Sequence, residues 1–259
     1  MNKGKNIGPY KGKKIDRNKL VSRGKKIEEW GLRNEYWAVD QLNNSVSLRR
    51  MIYQRLGVLV TPSFYKIPQT KKTDLMDDRG LGIQVKASKS NFGQVKRCKM
   101  SRFFNQNPQL RKIQYIFDNS FKIPLGSNGK CVRGYERKRL NEDNYSREEL
   151  DNLLKIFEQN KRRILTDVFL GNDAKYAPKL FLVIANSKTL IIWKTKDIID
   201  QLVSQKWKIG IKGTTLQLDS GNFCLQRKGG DSGKKSANDI QFKLKPCHLD
   251  RSRALVIDF

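Results

Sequence analysis

The sequence predicts an α/β protein, a mixed central β-sheet flanked by helices, with a β-rich region toward the C-terminus. Three observations predict it. An amphipathic helical pattern opens near Ile27, a second long helical pattern runs through the middle of the chain, and short apolar strand-like runs follow each of them. With 259 residues, 37% of them hydrophobic and 9% aromatic, the chain is long enough to bury a sizeable core as one domain or two closely packed lobes.

The elements read as follows in order. Residues 1–25 hold many lysines and glycines and few apolar anchors, which predicts a flexible basic arm, lying along a phosphate backbone or simply solvated. From Ile27, the residues Trp30, Leu32, Tyr36, Ala38, Val39 and Leu42 fall mostly at helical spacing, with Glu28, Glu29 and Glu35 on or near the other side. The run RLGVLVTPSFY (55–65) reads as β-rich and ending at Thr61-Pro62, and Gly80 and Gly82 punctuate a turn before a strand at Ile83–Ala87. Residues 94–120 are basic and aromatic, and GSNGK marks a loop near 126–130. One helix is expected over 147–170, with Ser146 as N-cap, Glu149 completing a capping box and Gly171 as the stop. LFLVIA (180–185) and TLIIW (189–193) read as strands joined by a turn at Asn186-Ser187. A short helix near 196–205 and the β-type segments LQL, FCLQRK and IQFKL complete the chain.

Charge narrows the function. The 53 Lys+Arg against 25 Asp+Glu give a net +28, an excess that repels itself in a compact fold and makes best sense beside a polyanion. Nucleic acid leads, because each neutralised phosphate releases counterions; a ribosomal or merely basic protein stays open on charge alone. Cys98, Cys131, Cys224 and Cys247 are scattered with no CxxC spacing, and His248 is the lone histidine. That pattern argues against zinc, Ser-His-Asp and Cys-His chemistry, and for reduced structural thiols. No apolar run approaches the roughly 20 residues that span a bilayer, and the basic N-terminus lacks a signal-peptide core, so a soluble intracellular protein is expected.

The stretch TDLMDDRGLGIQVKAS (73–88) carries the candidate chemistry. Metal-assisted phosphodiester hydrolysis needs oxygen ligands for a hard cation, a group that orients water, and a cation for developing charge. Gln84 and Lys86 are two apart, so on a strand they share a face while Val85 turns to the core. Asp74 lies ten positions before Gln84, enough for a short hairpin to return it beside them. D-x9-Q-x-K alone is a weak pattern that an edge hairpin with solvated acids fits better. Asp77 and Asp78 compete for Asp74's role, but Asp77-Asp78-Arg79-Gly80 reads as turn chemistry. Downstream, QRKGGDSGKKSANDIQFK (226–243) mixes the side chains that hydrogen-bond base edges with glycines that let backbone approach DNA closely.

On KTDLMDD, GIQVKASKSNFGQ, YSREELDNLLKIFEQNKRRILTDVFLGN and NFCLQRKGGDSGKKSANDIQFKL, the chain resembles the small type II restriction endonucleases of the HinP type, which read GCGC. It is similar, more distantly, to those of the MspI type, which read CCGG; both belong to the PD-(D/E)xK superfamily. The resemblance runs from about Trp30 to Pro246, with residues 1–25 as an extension. It implies a restriction-endonuclease-like core over 26–259, catalytic at about 26–125 and DNA-recognising at about 126–259. It implies that Asp74 is the metal-binding aspartate, that Gln84 and Lys86 form a QxK variant of the second motif, and that Thr73 replaces the family's usual proline. Glu35 matches the helix acid that often completes such sites, with Glu28 and Glu29 as alternatives. Gln94 aligns with a base-contacting glutamine, and Arg227, Lys228, Asp231, Asn238, Gln241 and Lys243 fall in the major-groove recognition segment. One or two Mg²⁺ ions would be held by Asp74, the Gln84 amide oxygen and the Val85 carbonyl, with Lys86 positioning water. Further implied are 5′-phosphate and 3′-hydroxyl ends, double-stranded DNA bound by a monomer, a cognate DNA methyltransferase and a prokaryotic cytoplasm. Targets CCGG or CCGC, or a DNA-binding protein without chemistry, are the alternatives.

Overall fold

The computed structural model describes residues 17–57, 62–68, 71–88, 93–129, 131–132, 135–185, 189–227 and 238–258. The first half of the chain gives α1 (Arg17–Asn44), α2 (Val46–Arg55), β1 (Phe64–Lys66), β2 (Leu75–Asp77), β3 (Gly82–Ser88), β4 (Gly93–Lys99), α3 (Met100–Gln106) and α4 (Gln114–Phe121). The second gives α5 (Arg147–Gln159), α6 (Lys161–Leu170), β5 (Pro178–Ala185), β6 (Thr189–Lys194), α7 (Thr195–Val203), β7 (Trp207–Ile209), β8 (Thr215–Leu218), β9 (Phe223–Arg227), β10 (Asp239–Leu244) and β11 (Leu255–Asp258).

Among the described residues the strands form two sheets. The central one has the order β1-β2-β3-β5-β6-β11, the second the order β4-β10-β9-β8-β7. The β3–β5 pair is parallel and every other pair antiparallel, so the central sheet is mixed as expected. Alternation explains why the central strands are apolar throughout. Leu180, Leu182 and Ile184 of β5 and Leu190 and Ile192 of β6 face one core with Ala38, Leu42, Leu48 and Ile52 from α1 and α2. Phe181, Val183, Ile191 and Trp193 face the opposite core, shared with α3–α7 and the inner face of the second sheet. Ile83 and Val85 of β3 join the first core, which turns Gln84 and Lys86 to the face where the second sheet lies.

Several expectations change. Helix α1 starts at Arg17, so residues 17–25 are helical and not part of an arm; Lys and Arg are good helix formers, and lone Gly24 does not break the run. Residues 1–16 lie outside the described residues. Helix α2 was not expected: Ser45 caps it by accepting from Leu48 N at 3.2 Å, and buried Arg49 donates to the α1 carbonyls of Leu42 and Asn43. In RLGVLVTPSFY, residues 58–61 lie outside the described residues, and the strand comes after Pro62 as the short edge β1. The capping box at Ser146 and Glu149 forms as expected, and Gly171 ends α6. The single 147–170 helix is broken at Asn160, whose side chain donates to the Ile156 carbonyl at 2.8 Å and competes with the helical ladder. The turn at Asn186-Ser187 lies outside the described residues. Sheet membership crosses position 125: β4 joins the second sheet, while β5, β6 and β11 complete the first.

Candidate active site

Strands β2 and β3 pair through Leu75↔Ile83 and Met76↔Gly82, and the register continues outward as Asp74 N donates to Ile83 O at 2.9 Å. Two glycines make the hairpin. Gly80 takes φ 81 in the turn, a left-handed value that side chains resist. At Gly82 a Cβ would come within 2.5 Å of Thr73 Oγ1, so only glycine admits this approach. The Thr73 hydroxyl donates to Tyr176 O at 2.8 Å, tying the hairpin to the chain entering β5. A proline at this position has no side-chain donor and could not make that bond.

The hairpin gathers four groups. The Asp74 carboxylate accepts from Val85 N at 2.7 Å and lies 3.6 Å from Lys86 Nζ. That ammonium also donates to the Val85 carbonyl at 2.9 Å. Gln84 is 4% exposed; its Nε2 donates to Lys72 O at 3.3 Å, and its Oε1 is buried without a partner. Asp77, the competing acid, is consumed structurally. It accepts from Leu81 N at 2.7 Å, from Arg79 N at 3.0 Å and from the Tyr53 hydroxyl, whose pKa is driven upward by burial and by this carboxylate. Asp78 is exposed in the turn.

Glu35 stands apart from this group. Its ion pair is with Lys66 on β1 at 2.9 Å, and the same ammonium lies 5.0 Å from the Tyr36 ring centre. Among the described residues no cluster of three or more His, Cys, Asp or Glu side chains exists to hold a metal. A cation at the hairpin would therefore rest on one carboxylate, the buried orphan amide oxygen of Gln84 and the Val85 carbonyl. All three are hard oxygen donors that suit Mg²⁺.

Lysines surround the cluster, and local patterning gave no sign of them. Lys72 donates to Val95 O on β4 at 2.8 Å, and its pKa falls to about 7 through burial first, then the charges of Lys86 and Lys96. Lys96 is paired with Asp167 of α6 at 2.6 Å. Neither the half-buried placement of Lys72 nor the Lys96–Asp167 partnership across 71 residues has a local sequence signal.

The outer face of the second sheet is polar. Gln226 donates to Gln241 at 3.3 Å and Gln241 to Gln94 at 3.1 Å, a chain of amides running across β9, β10 and β4. Gln226 sits one residue before Arg227 and alternates with buried Leu225, the alternation being its only sequence signal. Lys243 lies on the same face as Gln241, between buried Phe242 and Leu244, and Arg97 pairs with Asp239 at 2.7 Å. Arg227 donates to Ser120 O at 2.9 Å, and its guanidinium pKa is lowered by burial and then by Arg139. Asn238, expected to contact a base or phosphate, is engaged at both ends of its amide, donating to Ile123 O at 2.8 Å and accepting from Ile123 N at 2.6 Å. Lys228 and Asp231 lie outside the described residues. All four cysteines are free and three are buried. No helix among the described residues is long and apolar enough to cross a membrane.

A model of the R.HinP1I restriction endonuclease family matches residues 71–250. No curated protein matches the chain at a significant level. Among solved structures, restriction endonuclease MspI in complex with its cognate DNA matches with a TM-score of 0.44 and 10% identity, over 76% of this chain and 76% of that one. That likeness is too slight to bear on fold or chemistry.

Proposed function

The chain belongs to the R.HinP1I restriction endonuclease family, a type II site-specific deoxyribonuclease, and on that premise we propose that it hydrolyses double-stranded DNA at GCGC using Asp74, Gln84 and Lys86 with Mg²⁺. The observation that carries the reading is the hairpin cluster, with Lys86 Nζ 3.6 Å from the Asp74 carboxylate and 2.9 Å from the Val85 carbonyl, beside the unpartnered Gln84 oxygen. Bound Mg²⁺ would supply Lewis-acid polarisation of the scissile phosphate and a more acidic water, and Asp74, Gln84 and Val85 are the residues to hold it.

The side chains divide the remaining work. Asp74 is held by the Val85 amide, so its free lone pairs stay aimed at one point with little reorganisation. Lys86 orients the attacking water in line with the leaving 3′-oxygen and stabilises charge developing on the phosphoryl oxygens. The 5′-phosphate and 3′-hydroxyl ends follow from the family reading and not from this lysine. Gln94, Gln226 and Gln241 form an amide array suited to base edges. Arg227 and Lys243, together with Lys228 and Asp231 from the glycine-rich segment, add candidate contacts to guanine, cytosine or phosphate. Glu35, paired with Lys66, would have to leave that partner to join the metal, so its role is secondary. DNA methylated at the same target by a cognate methyltransferase would be spared, and a single copy of the chain would cut one strand at a time.

Mapping cut ends on a sequenced plasmid with Mg²⁺ tests the reading. Ends confined to GCGC are expected, and the Asp74→Ala protein should give none. Ends at CCGG or CCGC would replace the target, and intact plasmid of any methylation state would leave a binding protein without this chemistry.

A further inference from the structure

Gln84 and Gln94 belong to different sheets, yet one residue reaches both neighbourhoods. The Lys72 carbonyl accepts from Gln84 Nε2 at 3.3 Å, while the Lys72 ammonium donates to the Val95 carbonyl at 2.8 Å. Val95 is buried in β4 between Gln94, which belongs to the outer amide chain, and Lys96, which Asp167 anchors to α6 at 2.6 Å. Resting on the reading above, we propose that Lys72 is a positioning residue that couples the recognition strand β4 to the orientation of the Gln84 amide.

The amide has two ends, and only one arrangement leaves its oxygen toward the metal position. The bond from Nε2 to the Lys72 carbonyl selects that arrangement and leaves Oε1 without a protein partner. The peptide carrying the carbonyl is itself anchored by the Lys72 side chain on β4. This second bond does not depend on the charge of the amine, because a neutral amine also donates. A shift of β4 as bases engage Gln94 and Gln241 would thus move the Lys72 backbone and turn Gln84. Lys96 is held to Asp167 on the strand's inner side, so the movement would pass through Gln94 and Val95 and not along the whole of β4. Recognition at the outer face and catalysis at the hairpin are in this way joined through one side chain and one carbonyl, over a short path of named bonds.

Single-turnover cutting of a one-site duplex, with duplex affinity measured separately without divalent metal, tests this on the full chain. Lys72→Met keeps the stem and removes the donor. It should slow cutting about tenfold or more while affinity changes less than about threefold, and Lys72→Arg should recover much of the rate. The preference for the target over a duplex altered at one base pair should also narrow for Lys72→Met. Cutting within about twofold of wild type, a rate loss matched by an equal affinity loss, or no recovery with Lys72→Arg would overturn the proposal. If Lys72→Met does not fold, Lys72→Gln, too short to reach Val95 O, is scored by the same rate and affinity outcomes. A wild-type chain that cuts no duplex with Mg²⁺ removes the underlying reading, and this proposal with it.

Discussion

At Gln84 the two ends of one amide meet different surroundings, the nitrogen bonded to the Lys72 carbonyl and the oxygen buried with nothing to accept from. Gln84→Glu would offer an anion to the metal but would set a carboxylate oxygen against that carbonyl. The expected outcome is an unchanged or lower Mg²⁺ concentration for half-maximal cutting, with a slower maximal rate. A higher Mg²⁺ requirement in a folded protein would contradict the ligand role. Thr73 stands where the resemblance leads one to expect proline; its hydroxyl donates to Tyr176 O at 2.8 Å and the residue is 1% exposed. Thr73→Val should lower stability by about 1 kcal/mol in chemical denaturation, the scale of one buried hydrogen bond. The spacing of Asp74, Gln84 and Lys86 was legible because strand alternation is local. The expectation of Asp74 over Asp77 rests on turn chemistry, and Asp77 does lie at the turn with three bonds, to Leu81 N, Arg79 N and the Tyr53 hydroxyl. Lys72 and the clamp formed by Asn238 were not legible, because each partner comes from a distant part of the chain.

The β2–β3 hairpin depends on the glycine that lets Thr73 and Ala177 close over it. Gly82→Ala puts a methyl 2.5 Å from Thr73 Oγ1 and should cost about 1 to 3 kcal/mol of stability, read as a lower melting temperature. A melting temperature unchanged from wild type would mean that the hairpin shifts at no cost. Elements with an uninterrupted apolar signal, β5 and β6, were readable because both faces are buried and every residue must be apolar. The capped start of α5 was readable for a similar reason, since Ser146 and Glu149 satisfy each other's backbone within four residues. The break at Asn160 was not, because asparagine is tolerated in helices and only here turns its amide onto the Ile156 carbonyl. Helix α2 was missed although Ser45 offered a cap, since its polar composition hides a face that buries Leu48, Ile52 and Tyr53.

For the molecule as a whole, the +28 charge and the two-sheet layout pull together: the central sheet carries the hairpin and the second sheet presents an amide-rich face. The mixed, helix-flanked sheet could be anticipated from the order of elements. The exchange of β4 for β5, β6 and β11 could not, because parallel pairing of β3 with β5 spans about ninety intervening residues and leaves no local trace. Removing residues 1–16, with Lys3, Lys5, Lys11, Lys13 and Lys14, should weaken binding to target and non-target duplex alike and flatten the salt dependence of affinity. An unchanged salt slope would mean these lysines do not meet phosphate. Stability should also fall with pH at the alkaline end. Burial raises the thiols of Cys98 and Cys224 from 9.0 to about 11, so the unfolded chain releases their protons first. Their contribution, roughly 2 to 3 kcal/mol each by linkage, is present below pH 9 and lost as pH rises toward 11. Urea denaturation across that window checks it, with a Cys98→Ala, Cys224→Ala protein expected to lose the thiols' share of the slope while the share of the buried Tyr53 hydroxyl and of Lys72 remains. The most direct test of a catalytic hairpin is to compare wild type and Lys86→Ala on one GCGC duplex, measuring affinity without metal and single-turnover cutting with Mg²⁺. Affinity within a few-fold of wild type and cutting reduced by about a hundredfold or more are expected if Lys86 acts in the chemical step. Equal loss of both, or cutting that survives the substitution, would contradict it.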